Sequence, residues 1–298
     1  MARPTHPLVW HQLRFALPLA QDTAVGLVER LLADSSLGRV VLELRAAGGQ
    51  ATWAVGSSAG ERLVSVVREL APGCRVSRGF SRRAVDRAVV VSARPVGVGL
   101  ATERLSAVVR AVLAALAVTA EGEELVVQLQ LGRRFAPQVL GRVEPQGWLE
   151  MLGLVPIPSL SGERGRRMRA QLGRHRAAVC LRLGVRAASP LRQRTLLQGL
   201  LGALRLLEGP GVRLRARTEH PAKLDGVRRP WRVGLELGAG EIVAMVGWPV
   251  GEGALPATPS AHPRVLPLPV VRETQRAFAT GVADQAGERL GISIGDAL

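Results

Sequence analysis

Between residues 177 and 218 the spacing of apolar positions changes twice, and those changes predict strand, helix, strand. In residues 178–185, Val179, Leu181, Leu183 and Val185 occupy alternate positions with Arg182 on the other side, the pattern of a half-buried strand. Ser189-Pro190 then supplies an N-cap followed by proline at the first helical position. Leu191, Thr195, Leu197, Leu200, Leu201, Leu204 and Leu207 recur at helical spacing, and Gly209-Pro210-Gly211 ends the helix. In the next strand Val212, Leu214 and Ala216 alternate with Arg213, Arg215 and Arg217. Such a β-α-β unit needs a larger sheet to cover its apolar face.

The upstream sequence supplies candidate strands. Residues 7–19 alternate Leu13, Phe15, Leu17 and Leu19, and Pro18 places this strand at an edge. Asp22 is the expected N-cap of a helix bearing Val25, Val28, Leu31 and Leu32. Residues 40–46 and 50–55 form a hairpin about Ala47-Gly48-Gly49. Ser58 and Glu61 have the spacing of a capping box before the stripe Leu63, Val66, Val67 and Leu70; Pro72-Gly73 stops that helix ahead of a short strand at 74–77. The order recurs downstream. Ala88, Val89, Val90 and Val91 read as an interior strand, Thr102 as the cap of a helix carrying Leu105, Val108, Val109, Val112, Leu113 and Leu116, and residues 125–131 as a strand. The expected fold is therefore α+β, with two tandem ferredoxin-like βαββαβ units at residues 7–80 and 86–219.

The second unit is interrupted by an insertion at residues 136–175. Its first part, to Leu160, holds Pro145, Pro156 and Pro158 beside Trp148, Leu149, Met151 and Leu152, an apolar stretch suited to docking on a neighbour. Residues 220–298 are expected to be a linker and C-terminal segment. Within it fall a strand near Val233, a short helix at 240–248 with Ile242, Met245 and Val246 on one face, a proline-rich stretch at 254–269 and a strand at 289–294.

Composition changes this picture chiefly through charge. Of 298 residues 40 are Lys or Arg against 24 Asp or Glu, a net +16. Tyrosine and asparagine are absent and Lys223 is the only lysine, which points to a GC-rich coding sequence and accounts for arginine replacing lysine. It does not account for the excess of cations, which favours a polyanionic partner: nucleic acid first, an anionic membrane surface second. Arg164, Arg166, Arg167, Arg169, Arg174 and Arg176 form the densest cluster, with Met168 and Leu172 able to pin one face of a short helix. It reads either as a solvated face or as a set of phosphate contacts, because guanidinium groups match phosphate geometry. The five tryptophans are dispersed, so no base-stacking platform is expected. Cys74 and Cys180 lack metal spacing and read as buried thiols, which fits a cytoplasmic protein; no transmembrane segment is expected, and any membrane association would come through partners.

The sequence motifs of the common enzyme classes are mostly missing. The histidines are scattered, without H-E-x-x-H or Cys/His metal spacing. Gly56-Ser57-Ser58-Ala59-Gly60 has the outline of a nucleophile elbow, but the capping-box role accounts for Ser58. Gly97-Val98-Gly99 lacks the third glycine of a dinucleotide fingerprint, and Glu121, Glu123 and Glu124 read as a solvated turn. There is no G-x-x-x-x-G-K-[ST]. The expectation is a chain that is not a self-sufficient enzyme and needs no cofactor.

Three stretches resemble the actinobacterial TraG-like coupling ATPases of conjugation and type IV secretion, within the HerA-like group of DNA-pumping ATPases. They are residues 166–214 with the Pro210-Gly211-Val212-Arg213-Leu214 exit, residues 241–251 with Met245-Val246-Gly247-Trp248-Pro249, and the end Gly287-Glu288-Arg289-Leu290-Gly291-Ile292-Ser293-Ile294-Gly295-Asp296-Ala297-Leu298. In that family a motor domain with Walker A and Walker B motifs follows this point. The resemblance thus implies an accessory, non-motor region whose partners are DNA, an ATPase motor domain or secretion-apparatus proteins. It carries no catalytic residue over to this chain.

Overall fold

A computed structural model describes residues 7–138, 162–229 and 234–258, the side chains of 162–166 excepted. Among these residues the chain is mixed α+β, with one nine-stranded antiparallel sheet and seven α-helices. The expected insertion up to Leu160 lies outside the described residues beyond Gln138, as do most of the proline-rich stretch and the strand at 289–294.

The first half runs β1 (Val9–Arg14), α1 (Gln21–Ala33), β2 (Val40–Ala47), β3 (Gln50–Ser57), α2 (Gly60–Leu70) and β4 (Arg75–Arg78). The second runs β5 (Arg87–Arg94), α3 (Leu105–Ala117), β6 (Glu124–Phe135), α4 (Gly162–Leu172), β7 (Arg176–Arg186), α5 (Pro190–Leu204) and β8 (Arg213–Glu219). Then follow α6 (Ala222–Asp225), β9 (Leu235–Gly238) and α7 (Ala239–Val246). The strands lie side by side as β4-β1-β3-β2-β6-β7-β5-β8, with β9 beside β7. Read outward from the middle, both halves place their own second, third, first and fourth strands in that order.

The seam between the halves is β2 against β6, antiparallel from Val40↔Leu131 to Ala47↔Glu124. Val40, Leu42, Leu44 and Ala46 face one side with Leu125, Val127, Leu129 and Leu131, and all are buried in the main core. On that side α7 packs over β2 and β6 and contacts both α1 and α3. Residues Ile242 through Val246 are completely buried, so burial extends to Val243 and Ala244 beyond the single face of Ile242, Met245 and Val246 expected from the sequence. Trp248 and Val250 extend this core, and Trp53 Nε1 donates to Gly247 O at 3.0 Å. Residues 235–250 are therefore part of the same core as the two halves.

Several local expectations hold. Ser189 Oγ accepts from Arg192 N at 3.2 Å with Pro190 opening α5. Gly48 and Gly49, both with positive φ, make the two-residue turn between β2 and β3, where the strand twist demands φ values costly for other residues. Other expectations are corrected. β1 is an interior strand between β3 and β4, because Pro18 falls beyond its end and removes no ladder donor. Ala20, not Asp22, is the N-cap of α1; Asp22 sits inside the first turn, where its charge suits the helix dipole. The capping box at Ser58 does not form: α2 starts at Gly60 with Ala59 as N-cap, and Ser58 Oγ accepts from Arg39 N at 3.1 Å. Thr102 lies ahead of α3, whose N-cap is Arg104 without a side-chain bond.

Candidate nucleic-acid interface

The sheet side facing away from the main core is polar along most of its width. Near its middle Glu43, Arg45, Gln128 and Arg182 are buried, and a small apolar cluster of Val85, Ala88, Val126 and Leu224 holds the 79–86 connection and α6 against the strands. Gly184 makes that fit possible, since a Cβ there would lie 2.8 Å from Leu224 Cδ1.

Towards the outer strand β8 this side opens. Leu214 points into the core, so alternation sends Arg213, Arg215 and Arg217 to the opposite side, where all three are exposed. The register Arg94↔Arg213, Ser92↔Arg215 and Val90↔Arg217 adds Arg94 to the same surface. Alternate residues of a strand are about 7 Å apart, so the side chains form a spaced cationic row. Arg213 pairs with Glu208 at 3.1 Å on the surface. Arg94, Arg215 and Arg217 have no carboxylate partner among the described residues.

The row continues inward at Arg182, which stands across β5 from Arg217 through Val90. Arg182 is 1% exposed, and its Nε donates to Glu219 Oε2 at 2.5 Å. Lys223 Nζ lies 3.3 Å from Glu219 Oε1. Burial alone would push the Glu219 carboxyl up; the Arg182 and Lys223 partners outweigh it and hold it below the usual value. Beyond Arg182, Arg39 donates to Val227 O, and with the Gln130 amide turned to satisfy both partners, Arg39 Nη2 and Nε donate to its oxygen at 2.6 and 2.9 Å. Burial, then the charges of Arg229 and Arg182, push Arg39 below its ordinary value. The exposed guanidinium groups of Arg94, Arg215 and Arg217 thus lie on one sheet side, an arrangement suited to anions.

The arginine cluster expected from sequence is divided. Arg164 and Arg166 have side chains outside the described set. Arg167 ion-pairs with Glu103 at 2.8 Å, and with Arg174 it lines a cavity of about 290 Å³ that also contains Glu29, Glu103 and Glu241. Arg169 is exposed on α4. Arg176 is buried: Nε meets Glu236 Oε1 at 2.9 Å and the guanidinium lies 5.0 Å over the Phe135 ring. The structure therefore does not bring the four described side chains of the cluster onto one surface, because Arg176, at the start of β7, is covered by Glu236 and Phe135. The alternation of Arg213, Arg215 and Arg217 was visible in the sequence, but the approach of Arg39 and Arg182 had no signal there.

Cys74 and Cys180 are free, and burial pushes both thiols up to about 11. Among the described residues, no group of three or more His, Cys, Asp or Glu could hold a metal ion, and no helix is long and apolar enough to cross a membrane. No protein-family model and no curated protein matches this chain.

Proposed function

We propose that this chain is a non-catalytic module that contacts nucleic acid through the open, arginine-bearing side of its sheet, as the accessory region of a conjugative or type IV secretion DNA-transfer ATPase. The observation that carries the reading is the row of Arg94, Arg213, Arg215 and Arg217 on one accessible strand pair. The net +16 supports it, since a polyanion releases counterions when it meets such a surface. Each half is read as a ferredoxin-like unit; the strand orders β4-β1-β3-β2 and β8-β5-β7-β6 support this.

The test is a salt titration of DNA binding by the chain. Binding is expected to weaken linearly on a log–log plot, and Arg215→Ala with Arg217→Ala is expected to reduce the slope by about 2. Binding that is absent or insensitive to salt overturns nucleic-acid contact, and ATP turnover by the purified chain overturns the non-catalytic reading. The second reading, a stand-alone nucleic-acid-binding protein, is favoured by the same row because it needs no motor. Reading the coding sequence past Leu298 separates the two: an in-frame Walker A motif supports the motor accessory.

A further inference from the structure

At the opposite end of the sheet from β8, a second cationic feature faces the helices instead of the open side. Alternation in β1 turns His11 and Leu13 towards the core side, and His11 comes to lie under the start of α2. Gly60 leaves the ring its space, because a Cβ at that position would lie 3.1 Å from His11 Cε1. His11 is 7% exposed and its Nδ1 has no hydrogen-bond partner among the described residues. The ring borders a cavity of about 390 Å³ between β1, β4 and α2, lined also by Ser65, Arg68 and Arg78.

The charges around this cavity do not balance. Arg62 is engaged with Asp34 Oδ2 at 3.2 Å. Arg68 and Arg78 have no carboxylate partner among the described residues, and Glu61 is the one acid in the lining. Burial first, and then the Arg78 charge, with a smaller push from Arg68, hold the His11 ring below its ordinary pKa; Glu61 opposes them. The His11 ring, the Arg68 and Arg78 side chains and Ser65 line one concave space, with Nδ1 itself turned away from it and enclosed. Guanidinium pairs with phosphate oxygens in two-armed fashion, and charge-assisted hydrogen bonds are the strong ones.

We propose that this cavity is an oxyanion site that takes a phosphate group, held by Arg68 and Arg78 with Ser65 Oγ as a neutral partner and the His11 ring against its wall. It is separate from the β8 row and does not depend on the function proposed above.

The experiment uses the full chain with ¹⁵N-labelled histidine, titrated with inorganic phosphate at constant ionic strength set by chloride. The His11 ring nitrogens are expected to shift saturably and the His11 pKa to rise, because a bound anion stabilises the charged ring. Arg78→Gln is expected to weaken phosphate binding by about 10-fold or more, and Arg68→Gln to act in the same direction. Both side chains are exposed, and an unchanged backbone amide spectrum verifies that each variant folds. A response that never saturates, or one unaffected by either substitution, overturns the site. Adding a short single-stranded oligonucleotide to the phosphate-bound protein identifies the source of the group. Displacement of phosphate supports a site for a strand's phosphodiester; retention supports a site for free phosphate or a phosphomonoester.

Discussion

Arg82 grips Glu43 with both arms: Nε donates to Oε1 at 2.8 Å and Nη2 to Oε2 at 3.1 Å. Arg82 belongs to the connection between the two halves, and Glu43 to the seam strand β2. Arg82 also donates to the Asp225 and Leu224 carbonyls, so a single guanidinium ties connection, seam and α6 together. Glu43 further accepts from Arg45 Nε at 3.0 Å and Gln128 Nε2 at 2.8 Å, and is completely buried.

Removing that carboxylate leaves buried cations short of their counter-charge. Glu43→Ala is expected to destabilise the protein by about 3–5 kcal/mol, read from the urea midpoint at constant m-value. Replacing Glu43, Arg45 and Arg82 together with apolar residues of similar volume is expected to cost less than the single change, because it also removes the charge desolvation.

Stability should depend on pH in two opposed windows. Burial would raise the Glu43 carboxyl, but the Arg82 bonds and the Arg45 and Arg82 charges outweigh it and hold it below its reference value of 4.5. Its contribution is present above that value and is lost as pH falls through the folded-state pKa. Glu241 behaves in the opposite way. Burial pushes it up to about 7, against the pull of the Leu100 and Gly238 N–H donors, and the nearby Glu236 carboxylate adds to the rise. Between about 4.5 and 7 the folded state keeps a proton that the unfolded chain has released, so stability falls as pH rises, by on the order of 3 kcal/mol. Urea midpoints measured from pH 3 to 8 are expected to peak near pH 5, and Glu241→Gln is expected to flatten the upper limb.

Gly247 ends α7 in the left-handed conformation, at φ 58°, under the seam. A Cβ there would lie 3.0 Å from Leu44 Cδ2 and 3.1 Å from Val112 Cγ1. Gly247→Ala therefore combines backbone strain with overpacking and is expected to cost about 1–3 kcal/mol. The loss should appear in thermal unfolding, together with a change in Trp53 fluorescence as its bond to Gly247 O is disturbed.

Ser189→Ala removes the hydroxyl that accepts from Arg192 N and is expected to cost about 1 kcal/mol. Ser189→Asp should preserve the stability, which distinguishes loss of a cap from loss of packing.

Much of the fold could be read from period and turn chemistry. The strands around Val179 and Leu125, the hairpin at Gly48-Gly49 and the Ser189-Pro190 start of α5 each depend on residues adjacent in sequence. A local motif gives way where a distant partner competes for the same group. Ser58 has capping-box spacing, but its hydroxyl is taken by the backbone N–H of Arg39, nineteen residues away. Arg176 looked like a member of a solvated cluster, yet Glu236 and Phe135 supply a buried setting that makes it an interior ion pair.

The sequence by itself determined the alternation and helical spacing, and with them the α+β class and the recurring order of elements, because these follow from dihedral preferences and side-chain periodicity over a few residues. Only the tertiary structure decided that β2 meets β6, that α7 fills the space between α1 and α3, and which arginines are buried and which exposed. An arginine has the same local propensities in either place. Its fate is set by desolvation and by carboxylates that the fold brings from far along the chain: Glu219 to Arg182, Glu236 to Arg176, and no carboxylate among the described residues to Arg215 and Arg217.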